Sequence, residues 1–186
     1  MQTAPPAPLA SNAVRVFFAI VPPPGLAQAL AELARMVGVR ARGRIVPAPN
    51  IHLTLAFVGA WPLAGVPALK AAGRAVHGEP FRLMLDALGS FRRAGIAWVG
   101  PSHPPPQLVT LATSLGEALA ANEVSYDARV FRPHVTLVRR LRAPGPSGTI
   151  EPLSWDVHAF SLMESRATGQ GVRYEPLATW RLGQRD

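Results

Sequence analysis

The spacing of apolar positions changes period several times along the chain, and each change marks an element. Val14 to Val21 (VRVFFAIV) is apolar and rich in β-branched and aromatic residues, is closed by Pro22-Pro23-Pro24, and reads as a buried strand. From Gly25 to Val37 the residues Leu26, Leu30, Leu33 and Val37 recur at helical spacing, and Gly38 is placed to end that helix. A loop carrying Arg40, Arg42 and Arg44 follows, and Pro47 and Pro49 punctuate the entry to a second strand, Ile51 to Val58. A turn over Gly59 to Pro62 leads into a helix over Leu63 to Val76, weakened by Gly65, Pro67 and Gly73. Phe81, Leu83, Leu85 and Ala87 alternate with Arg82, Met84 and Asp86, which is strand period. Gly95 to Val99 is the next strand, with Phe91 to Ala94 as its turn or partner. Beyond a proline-rich break, Gln107 to Ala121 places Leu108, Leu111, Leu115 and Leu119 on one helical face. A strand over Arg132 to Leu141, a Pro/Gly/Ser loop over Ala143 to Pro152, and two strands, Trp155 to Ser165 and Val172 to Leu182, complete the chain.

That order predicts an α+β protein with mixed or antiparallel sheet. At 186 residues it is one domain, or two small lobes on one core. We expect a disordered Pro/Ala-rich tail over residues 1–12, without the features of a secretory signal, and a single domain over 13–186. No apolar run reaches the ~18 residues that span a bilayer, so no membrane partner is expected, and cytoplasm is the default location. The chain has no cysteine, which removes disulfides, thiolate nucleophiles and Cys-based zinc sites. The net charge is +8, carried almost wholly by arginine, since Lys70 is the only lysine. Arginine suits phosphate, although a surface that merely uses Arg in place of Lys gives the same count.

Chemistry enters with an echo. Ile51-His52-Leu53-Thr54-Leu55 and Phe131-Arg132-Pro133-His134-Val135-Thr136-Leu137 both read His-apolar-Thr-Leu within β-rich runs. On strands, each pair of His and Thr shares a face, and the intervening residues point into a core. Imidazole serves as acid or base near neutral pH, so two of them suit phosphodiester cleavage, and threonine hydroxyls can donate to phosphate oxygens. Strict alternation places Arg140 on the face of His134 and Thr136; Arg139 reaches it only through a bulge. His77, His103 and His158 have no motif around them. A two-histidine metal site wants a third ligand, and neither motif has Asp or Glu along its strand. A serine triad has no Gly-x-Ser-x-Gly elbow here.

With these flanks the sequence resembles the 2H phosphoesterases, and among them the LigT-like RNA 2′,3′-cyclic phosphodiesterases, also called 2′-5′ RNA ligases. The resemblance rests on Arg15-Val16-Phe17-Phe18-Ala19-Ile20, on Asn50 to Gly59 around the first motif, on Phe131 to Arg139 around the second, and on Phe160 to Ser165 with Tyr174 to Leu177. It implies a bilobal, pseudo-symmetric α+β fold: two mainly antiparallel sheets, helices packed outside, and a central cleft. It implies hydrolysis of an RNA terminal 2′,3′-cyclic phosphate to a 2′-phosphate by a monomeric enzyme with no metal or other cofactor. His52 would be the proton donor and His134 the proton acceptor. Thr54, Thr136 and Arg139 would hold the phosphate, with Phe18 either stacking on a base or packing in the core. The chain departs from many relatives at Ala60, where they carry an acidic residue. The reverse ligation on the same residues and a non-catalytic RNA-binding module are the competing readings.

Overall fold

The computed structural model describes residues 12–169 and 171–184. In chain order the elements are β1 (Ala13–Ile20), α1 (Pro24–Ala41), β2 (Arg44–Ile45), β3 (Leu53–Pro62), α2 (Val66–Arg74), β4 (Phe81–Phe91), β5 (Ile96–Gly100), α3 (Pro106–Ala121), β6 (Val135–Arg139), β7 (Gly148–Val157), β8 (Ala159–Thr168) and β9 (Gly171–Arg181). The expected tail lies outside the described residues except for Asn12, whose carbonyl accepts a hydrogen bond from the Leu63 N–H at 2.8 Å.

The strands pair antiparallel in the order β7-β4-β5-β6-β3-β1-β8-β9, with β2 on the edge of β6. This path is two four-stranded halves, β7-β4-β5-β6 and β3-β1-β8-β9, joined where β3 meets β6 at the single pair Leu53–Val135. Beyond that pair the two strands part. β2 takes over the edge of β6, pairing Arg44 with Arg139, while the Asp127 N–H donates to the Phe57 carbonyl at 2.9 Å. The helices cross between the halves: α1 packs on β6 and α3 on β3. One apolar core therefore runs beneath both halves, with Leu53, Leu55, Val135 and Leu137 facing Leu30, Leu108 and Leu115.

Local sequence explains most elements. Pro24, Pro67 and Pro106 sit in first turns, where the missing N–H has no helical partner in any case. The leucines of α3 are all buried, as their spacing requires. Gly38 does not end α1. It lies inside the helix, where an added Cβ would come 2.5 Å from Ile45 Cγ1, so its smallness admits β2, and the helix runs on to a left-handed Arg42. The expected single strand Trp155 to Ser165 is two strands. β7 begins at Gly148, within the segment read as loop, and pairs with β4. The chain breaks at His158, and β8 then joins the other half beside β1. Pro152 and the Gly/Ser content hide β7 because it is an edge strand, which tolerates both.

Candidate active site

The register at Leu53–Val135, continued one residue either way, sets His52 across from Thr136 and Thr54 across from His134. The four side chains form a square on the face of the sheet opposite the helices, because their neighbours Leu53 and Val135 are fully buried in the core. The two motifs thus meet at a local two-fold, which brings together the four residues that the sequence echo singled out.

Each imidazole is held the same way. His52 Nδ1 donates to the Asn50 carbonyl at 2.8 Å, and His134 Nδ1 donates to the Arg132 carbonyl at 2.7 Å. A carbonyl only accepts, so Nδ1 keeps its hydrogen and Nε2 is the nitrogen that gains or loses a proton. His52 Nε2 lies 3.1 Å from Thr54 Oγ1. Burial pushes the His52 pKa down from 6.5 to about 4; the Asn50 carbonyl opposes this, and the positive charges of Arg139 and His134 add to it. Burial also lowers His134, opposed by the Arg132 carbonyl and assisted by Arg139.

Arg139 rather than Arg140 bears on both rings, and the backbone shows why. The β5–β6 register shifts between Ala97 and Trp98, leaving Leu137 as the extra residue of a bulge. Leu137 and Val138 are then both buried, and Arg139 turns out beside Thr136. Arg140 lies past the strand end with φ 57°. Strict alternation misses this because a bulge inverts the parity of everything beyond it.

Aromatic walls complete the site. The Phe17 and Tyr174 rings lie 4.8 and 5.0 Å from the His52 ring, and Phe91 and Trp98 lie 4.9 and 6.4 Å from the His134 ring. Phe18 is not among them. It is 0% exposed and stacks 6.0 Å from Trp180 within the core, so no base can reach it. Adjacent strand residues face opposite ways, and it is Phe17 that faces the cleft. Asn50, which flanks the first motif and has no role assigned from the sequence, is a further contributor. Its side-chain amide donates to the Val172 carbonyl at 2.6 Å and its Oδ1 accepts from the Tyr174 N–H at 3.2 Å, which ties β9 to the turn that holds His52. Its place two residues before the first histidine was the available signal. Among the described residues no three His, Cys, Asp or Glu side chains are grouped to hold a metal ion.

Residues 20–98 match the family model for LigT like phosphoesterase. The chain is 33% identical to an RNA 2′,3′-cyclic phosphodiesterase of Escherichia coli K12, over 94% of this chain and 99% of that protein. A second RNA 2′,3′-cyclic phosphodiesterase, from Thermus thermophilus, is 29% identical over 91% of this chain and 90% of its own length. The fold superposes on a crystal structure of E. coli LigT complexed with 3′-AMP at a TM-score of 0.80 and 34% identity, covering 92% of this chain and 99% of that one.

Proposed function

This chain belongs to the LigT-like phosphoesterase family, and from that premise we propose that it hydrolyses the terminal 2′,3′-cyclic phosphate of RNA to a 2′-phosphate by two-histidine acid–base catalysis. The observation that carries the reading is the square of His52, Thr54, His134 and Thr136, with each Nδ1 on a carbonyl and each Nε2 left to titrate.

In this reading the phosphate lies between the two imidazoles. His134 Nε2, uncharged, takes a proton from a water as its oxygen bonds to phosphorus. The P–O3′ bond breaks, and His52 Nε2 gives its proton to O3′. The product carries a 2′-phosphate and a free 3′-hydroxyl, and exchange of protons with solvent resets the pair. The Thr54 and Thr136 hydroxyls and the Arg139 guanidinium stabilise the charge that grows on the non-bridging oxygens. Burial, with the charges of Arg139 and His134 adding to it, holds His52 below its usual pKa. A bound phosphodiester anion offsets those charges and so favours the protonated imidazole that donates to O3′. No step requires a metal.

The direct test is incubation with a short RNA ending in 2′,3′-cyclic phosphate, with and without EDTA and with and without a 5′-hydroxyl acceptor strand. A 2′-phosphate product, formed equally with EDTA, is expected. A 3′-phosphate product or dependence on metal would overturn the mechanism, and joined strands as the main product would assign ligation instead.

A further inference from the structure

The two halves offer equivalent positions on either side of the square, and those positions carry different chemistry. Counting from each histidine, the second motif continues into Arg139, Arg140 and Arg142 where the first continues into Phe57, Val58 and Ala60. The segment alongside differs too: Arg44 pairs with Arg139, whereas Asp127, already bound to Arg129, pairs with Phe57. Phe57 is itself half-exposed, with the Arg15 guanidinium 5.8 Å from its ring.

The arginine end is a built surface assembled from three separate segments. The bend after β6 hydrogen-bonds to the β4–β5 turn through the Leu141 N–H and the Gly95 carbonyl, at 3.1 Å, and that turn carries Arg92 and Arg93. The same bend reaches the end of α1 through the Arg142 N–H and the Ala41 carbonyl, at 3.1 Å. Arg44, Arg92, Arg93, Arg139, Arg140 and Arg142 are all exposed. Among the described residues none of them is in an ion pair; the ion pairs there involve other arginines. Residues 33–78, 87–116 and 128–150, which contain all three segments, hold no Asp or Glu. Like charges crowded without counter-ions cost folding free energy, and a polyanion removes that cost.

We propose that this end of the cleft binds the sugar–phosphate backbone of the RNA strand leading to the reacting nucleotide, so that a polynucleotide is a far better substrate than a mononucleoside cyclic phosphate. The proposal rests on the activity proposed above. It adds a second set of contacts, to phosphates upstream of the one that reacts, made by residues that do not touch the reacting phosphate. Guanidinium groups on three backbone segments can each meet a different phosphate along an extended strand.

The test combines Arg44→Gln, Arg92→Gln, Arg93→Gln and Arg142→Gln in one protein. Binding of a fluorescent RNA of about ten nucleotides ending in a 3′-phosphate is measured against salt, which requires no turnover. Losing about four phosphate contacts should weaken binding about 10²-fold near physiological salt and lower the log–log salt slope by about 3. The ratio of kcat/KM for cyclic-phosphate RNA to that for a mononucleoside 2′,3′-cyclic phosphate should fall by the same factor. Unchanged affinity and slope would overturn the proposal. As a second measurement on the unmodified protein, 4-thiouridine placed a few nucleotides before the 3′ end should cross-link to residues 92–93 or 140–142; cross-links at Phe57 or Arg15 would also overturn it. Failure of the activity reading looks different, because cyclic-phosphate RNA would then bind and remain unchanged.

Discussion

Three residues past Thr54 the chain carries Phe57, and three past Thr136 it carries Arg139, on strands that bulge at the same place. Leu55 is the extra residue opposite Phe18 and Ala19, as Leu137 is opposite Ala97 and Trp98. Leu55 and Ala56 are both buried, like Leu137 and Val138. The backbone repeats faithfully while the side chain delivered to the cleft changes from an aromatic ring to a cation. The anchoring differs as well. Asn50, whose carbonyl holds His52, has its own side chain clamped to β9, whereas the Arg132 side chain, on the residue whose carbonyl holds His134, is solvent-exposed. A two-fold scaffold thus presents two equivalently held imidazoles, and the side chains around them set the two apart.

The largest effect tests what the halves share. His52→Ala and His134→Ala should each lower kcat on cyclic-phosphate RNA by about 10²–10⁴-fold, with the fold retained by circular dichroism. Wild-type turnover in either would show that one half is ornamental. The next effect tests where they differ. Arg139→Ala should lower kcat/KM by about 10–100-fold, the worth of a hydrogen bond to a charged group. Phe57→Ala at the equivalent position should change kcat/KM by less than about 3-fold, as ordinary surface substitutions do. Equal losses would mean that the phosphate sits on the local axis rather than toward the cation.

The smallest effect is on stability. His52 titrates at about 4 in the folded protein and at 6.5 as a free side chain, so the unfolded state takes up its proton first as pH falls. Stability from this group is complete above about pH 6.5 and drains away between there and pH 4, to a ceiling of about 3 kcal/mol. Burial lowers His134 too, with the same sign. Urea unfolding of His52→Gln at pH 7 and pH 4.5 should show a smaller loss on acidification than the wild type. An equal loss would place the acid sensitivity elsewhere.

How much of this was legible beforehand follows from what each signal measures. The His-x-Thr echo needed only residue identity and period-two spacing, and both motifs lie where that spacing puts them. The leucine face of α3 and the proline starts of the helices are likewise local. Phe18 is instructive because identity matched and parity did not: Phe17 and Phe18 are chemically alike, and only pairing with β3 and β8 says which of them faces the cleft.

The sequence by itself determined the chemistry: two imidazoles, two hydroxyls and a surplus of arginine over carboxylate, on segments whose period makes them strands. It marked much of the core as well, through the apolar runs and the leucine face of α3, although not the consecutive burial at the bulges. Tertiary structure decided which half each strand joined, since β7 and β8 adjoin in the chain and belong to opposite halves. It decided that Arg139 rather than Arg140 turns out beside Thr136, since a bulge is a property of a strand pair and not of one strand. It also decided that arginines from three distant segments form one surface. Pairing and register are long-range: their free energy comes from contacts between residues far apart in the chain, which no local pattern records.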